Sequence, residues 1–166
     1  MPSTSSFDVT STIDFQEVDN ALNQARKEVG QRYDFKGARA DIELSTAEKT
    51  LTLTTDDEMK MNAVWEILAT RLVRRGVAVK NFKVGESQPS AGGAVRRVIE
   101  IQQGIPTEAA KEIVKYLKEK KLKKVQATIQ ADQVRVSSPS KDELQEAMSA
   151  LRDHDFGVAL MFGNYR

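Results

Sequence analysis

The chain has 166 residues, 40% hydrophobic and 30% charged, with Lys+Arg 25 against Asp+Glu 24. The resulting +1 net charge gives no global field to draw in a polyanion, so any basic site must be local. Cysteine is absent and histidine occurs once, which removes disulfides, thiolate metal sites and the common transition-metal ligand sets.

Phe7–Thr12 reads as a short strand, and Asp14 with Glu17 has the spacing of a capping box. Val18, Leu22, Ala25 and Val29 follow at helical spacing up to Gly30. Ala40, Ile42 and Leu44 alternate with Arg39, Asp41 and Glu43, and Leu51 and Leu53 alternate with Thr50, Thr52 and Thr54. These are two half-buried strands joined by the Ser45–Lys49 loop. Asp57 caps a second helix with Met61, Val64, Leu68 and Leu72 on its inner stripe, ending at Gly76. A last strand falls within Val77–Gly85.

Ser87–Gly93 has no apolar periodicity and holds several turn formers. Beyond it the plan repeats. Val95–Ile101 is a strand, Pro106 suits a helix's first turn, and Ala110, Ile113 and Leu117 mark that helix's buried face. Val125, Ala127 and Ile129, then Val134 and Val136, form a hairpin around Ala131-Asp132. Ala131 is awkward there, because a type I′ turn requires a positive φ that Ala resists. Ser140 and Glu143 make another capping box ahead of Leu144, Ala147 and Leu151, and Val158–Phe162 closes the series.

Strand, helix, strand, strand, helix, strand thus occurs twice. This predicts an α+β fold: a duplicated ferredoxin-like (βαββαβ) sandwich of two similar domains, 1–88 and 89–166, each an antiparallel four-stranded sheet with helices on one face. Met1–Ser6 has neither a basic start nor an apolar run, and nothing approaches the ~18 apolar residues of a membrane span. A cytoplasmic protein without membrane contact is expected.

No positive signal for catalysis is present. His154 is a lone loop histidine, read as a solvated surface residue. Neither standard phosphate-cradling glycine motif occurs, and no metal or cofactor is expected. Three constellations suit binding. Arg32-Tyr33-Asp34-Phe35-Lys36-Gly37 joins two cations, two aromatics, an acid and a glycine. It could stack a base and hold phosphate, or the aromatics could simply plug a structural loop. Lys115, Lys118, Lys120, Lys121, Lys123 and Lys124, with Lys111 a turn earlier, complement a helix's negative end or track a phosphate backbone. Lys115, Lys118, Lys121 and Lys124 are the RNA-backbone candidates. Finally, Gln126, Thr128, Gln130, Gln133 and Arg135, with Arg96 expected nearby, give the second half a polar open sheet face. It lacks the aromatics of RNA-recognition domains.

Phe7-Asp8-Val9, Glu17–Ala21, Arg32–Gly37, Arg75-Gly76-Val77, Gln103-Gly104-Ile105, Val125-Gln126-Ala127, Asp132–Val136, Asp142–Gln145 and the ending Phe162-Gly163-Asn164-Tyr165-Arg166 together resemble the bacterial YajQ family of nucleotide-binding proteins. Departures from that pattern are the extra Thr4-Ser5-Ser6, Ala131 in place of a glycine, the less basic Ser138–Lys141, and Met161 in place of a glutamine. The resemblance implies two ferredoxin-like domains, with exchange of their first strands left open, and a non-enzymatic monomer that binds a nucleotide such as GTP, ATP or cyclic di-GMP. Transfer RNA binding, and a nucleotide-switched adaptor to a transcription regulator, stand as alternatives. The expected nucleotide site is Arg32, Tyr33, Asp34, Phe35, Lys36 and Gly37, with Arg96 and Arg135 as partners.

Overall fold

A computed structural model describes residues 4–32 and 35–166. Among them are nine strands and four α-helices. In chain order these are β1 (Ser5–Thr10), α1 (Phe15–Gln31), β2 (Ala40–Ser45), β3 (Thr50–Thr55), α2 (Glu58–Arg74), β4 (Phe82–Val84), β5 (Gln88–Pro89), β6 (Val95–Ile101), α3 (Thr107–Glu119), β7 (Gln126–Gln130), β8 (Gln133–Ser138), α4 (Lys141–Arg152) and β9 (Met161–Gly163).

The helix starts follow the predicted chemistry. Asp14 accepts from the backbone N–H groups of Gln16 and Glu17, Asp57 from that of Lys60, and Ser140 from that of Glu143. Glu17 does not complete a capping box: it accepts from Asn20 and pairs with Arg75 at 3.5 Å. Pro106 occupies the N-cap of α3, one position before the helix proper. β1 runs from Ser5 to Thr10, two residues earlier than the apolar pattern suggests. The Ser87–Gly93 segment is partly ordered as strand, with Gln88 opposite Arg96 and Pro89 opposite Val95.

The strands form two antiparallel sheets, one ordered β7-β8-β1-β9 and the other β2-β3-β6-β4, with β5 also on β6. β1 therefore pairs with β8 and β9, and β6 with β3 and β4. The fold is α+β, and each sheet order is compatible with a ferredoxin-like sandwich. Two compact units result: a central unit, Ile13–Gln102, and a terminal unit, Met1–Thr12 with Gln103–Arg166. The sequence pattern divides the chain at 88/89, whereas the packing changes over at 12/13 and 102/103.

In the central unit, Leu51, Leu53 and Ile99 of the sheet are fully buried with Val18, Leu22, Met61, Leu68 and Leu72 of α1 and α2. In the terminal unit, Phe7, Val9, Val134 and Val136 pack beneath Ile113 of α3 and Leu151 of α4. Full burial of such a side chain contributes about 1.5–3 kcal/mol, so each core holds its helices on one sheet face. The opposite sheet faces carry the polar residues.

Candidate functional site

In the central unit, α1 ends at Gln31, and the backbone N–H of Arg32 donates to Glu28 and Val29 carbonyls. Tyr33 and Asp34 lie outside the described residues. Phe35 is buried in the core, and the Arg32 guanidinium sits 5.5 Å from its ring centroid. The Phe35 ring thus anchors the loop and presents no open face for a base. Lys36 and Gly37 are exposed, and Gly37 adopts φ +76°, with open space where a Cβ would point.

The loop then enters β2. Arg39 donates from its backbone to Asp56 and from Nε to Asp41 at 2.9 Å. The register sets Asp41 opposite Thr54 and Thr54 opposite Arg96. Ile42, Leu51, Leu53 and Ile99 face the helices, so the alternating Asp41, Thr54 and Arg96 stand in one row on the other face. Neighbouring strands are ~4.8 Å apart. Arg39, one residue before β2, and an exposed Arg96 therefore share one end of the sheet, with exposed Lys36 three positions before Arg39 in the chain. Arg96 belongs to this sheet, not to the polar β7–β8 face near which the sequence pattern predicts it. The reason is its strand: β6 pairs with β3 and β4.

Arg97, one residue on, faces the helix side. Its Nη2 donates to Glu58 at 2.8 Å and to Ser87 at 3.1 Å, tying the segment before β5 to the start of α2. Its side chain is 11% exposed, and Nε lacks a hydrogen-bond partner.

Arg135 lies in the terminal unit and is already engaged. Its Nε donates to Asp8 Oδ1 at 2.9 Å, and Asn164 Nδ2 donates to Asp8 Oδ2 at 2.6 Å. The hydrogen bond from Arg135, then that from Asn164, hold the Asp8 carboxyl below its ordinary pKa, and Asp8 in turn raises that of Arg135. Asp8 and Arg135 are cross-strand partners separated by 127 positions. Asn164 at φ +52° and the paired Ser6 and Arg166 backbones bring the chain's last residues onto β1. The sequence signal was a lone acid, Asp8, between two core residues, Phe7 and Val9.

The lysine run divides. Lys118, Lys121 and Lys123 rim a groove of about 550 Å³ between α3 and β7, with Val114, Leu117, Leu122, Val125 and Ala127 as its apolar lining. Lys115 lines a separate hollow with Tyr116 and His154. His154 is stacked on Tyr116 at 4.4 Å between centroids. The backbone N–H of Lys124 donates to Glu143. The groove has no counterpart in any short motif, because its two walls come from separate elements. Among the described residues no group of three or more His, Asp or Glu could hold a metal ion. No helix among them is long and apolar enough to cross a membrane.

Two helix-backed antiparallel sheets define a small α+β protein, with exposed cations at one sheet end of the central unit and along the α3–β7 groove. The chain belongs to the YajQ-like family: the family model described as "Nucleotide-binding protein YajQ-like" matches residues 5–166. It is 48% identical over 161 residues to a protein of Acidithiobacillus ferrooxidans named "Nucleotide-binding protein", covering 97% of this chain and 98% of that one. A protein of the same name from Chloroherpeton thalassium is 46% identical over 166 residues, the full length of both chains. A third, from Trichlorobacter lovleyi, is 46% identical over 162 residues, or 97% of this chain and 98% of the relative.

Proposed function

We propose that the chain is a non-enzymatic nucleotide-binding protein whose site lies at the loop-fed end of the central unit's sheet. The observation that carries this reading is the register that aligns exposed Arg96 with Thr54 and Asp41 where the Phe35–Arg39 segment enters β2. Lys36 and Arg96 supply charge for phosphate, and Arg96 offers a planar donor fork. Gly37, at positive φ with nothing near its Cβ position, lets a ligand approach the backbone. Asp41, half-exposed beside Arg39, supplies a hydrogen-bonding group for a sugar or base, while Thr54 is buried and spaces the row. Phe35 positions the loop rather than stacking, and Arg135 is held by Asp8 in the other unit.

The same reading treats the halves as duplicated ferredoxin-like units with exchanged first strands, supported by the pairing of β1 with β8 and β9 and of β6 with β3 and β4. The test is titration of the purified protein with GTP, ATP and cyclic di-GMP. Arg96→Ala and Lys36→Ala should each weaken the bound nucleotide about tenfold while melting within about 1 kcal/mol of the parent. Affinity should fall gently with salt, since one nucleotide releases few counterions compared with an extended RNA. Normal nucleotide affinity in both variants would overturn the site.

A further inference from the structure

The α3–β7 groove differs from the nucleotide site in kind. It lies at the C-terminal end of α3, where the helix's partial charge is negative and disfavours a concentrated phosphate charge. What it offers instead is an open strand edge. β7 is the outermost strand of its sheet. Gln130 pairs with Gln133 across a two-residue loop, so Gln130, Thr128 and Gln126 exchange ladder bonds with β8. The backbone groups of Ala127 and Ile129 then point away from β8, and no strand pairs on that side among the described residues. Such an edge is a template for an added strand.

We propose that this groove is a docking site for an extended acidic segment of a protein partner, added to the sheet alongside β7. Three features choose that occupant. The free N–H and C=O groups of Ala127 and Ile129 match a peptide backbone, which a nucleotide cannot supply in that pattern. Beside Gln126 and Thr128 of the strand, the lining between strand edge and helix includes Leu117, Leu122 and Val125, able to take every second side chain of a strand. Lys118, Lys121 and Lys123 rim it with no acid among the lining residues, so charge complementarity asks for carboxylates. This site shares no residue with the nucleotide site, since every residue in it belongs to the terminal unit.

The probe is a fluorescein-labelled ten-residue peptide alternating valine with glutamate, measured by anisotropy against the full chain. It should bind saturably, and Lys118→Gln with Lys121→Gln should weaken it about fivefold while leaving nucleotide affinity unchanged. Methylating alternate peptide nitrogens should abolish binding by removing ladder donors. Amide exchange at Ala127 and Ile129 should slow when the unmodified peptide binds. Equal binding of the methylated peptide, unchanged exchange at those two amides, or no peptide binding at millimolar concentration would overturn the proposal. So would lysine-dependent binding of an oligouridylate in place of the peptide.

Discussion

Replacing Asp8 with asparagine keeps the shape of the side chain but removes the charge that Arg135 and Asn164 address. In the parent, Asp8 is nearly buried (side chain 9% exposed) and receives two short hydrogen bonds, from Arg135 Nε at 2.9 Å and Asn164 Nδ2 at 2.6 Å. Hydrogen bonds to charged groups contribute about 1.5–3 kcal/mol. The Arg135 side chain is 34% exposed and regains water when the charge is lost, which pulls the cost toward the lower end. Asp8→Asn should therefore cost about 1–2 kcal/mol near neutral pH, or roughly 2–8 °C in melting temperature for a chain of this size. The pH dependence has a definite sign. A carboxylate whose folded pKa is lowered contributes its stability above the unfolded value of about 3.9 and loses it as pH falls through the folded one. The gap between parent and Asp8→Asn should be full at about pH 7, narrow below about pH 4 and close once Asp8 is protonated. Urea unfolding followed by circular dichroism across that range measures it. A gap that is absent at neutral pH, or constant down to about pH 2, would refute the assignment of a working Asp8–Arg135–Asn164 cluster.

Ala131 sits at φ +54° in the β7–β8 turn, so Ala131→Gly should stabilise the protein by about 1 kcal/mol, read from the urea midpoint. Gly104 has φ +85°, and a Cβ added there would run into the Asp132 carboxylate and Cβ. Gly104→Ala should therefore destabilise by about 2 kcal/mol or more, and pairing it with Asp132→Ala should recover part of the loss in a double-mutant cycle.

Local chemistry settled a large part of this chain. Apolar spacing marks all four helices, the Asp14, Asp57 and Ser140 caps are readable as residues, and a two-residue β7–β8 turn with Ala131 under strain follows from alternation on either side. These features depend on neighbours a few positions away, which a sequence displays directly. Sheet membership does not. β1, with Phe7 and Val9 inward, and β6, with Ile99 and Ile101 inward, each carry an apolar face that would satisfy either sheet. Long-range backbone pairing decides between them, and with it the location of Arg96. The candidate site shows the same limit. Arg32–Gly37 stands out in composition, yet only packing determines that Phe35 is buried while Lys36 and Gly37 remain exposed. Arg135 reads as an available cation until β1 aligns Asp8 opposite it, 127 positions away. The lysine run reads as one stripe, but its members point into different surroundings once α3 is set against β7. The sequence by itself determined the elements and their caps, because those energies are short-range along the chain. The tertiary structure alone decided which strands are neighbours and which charges are already spent on one another, because those energies act between residues that only folding brings together.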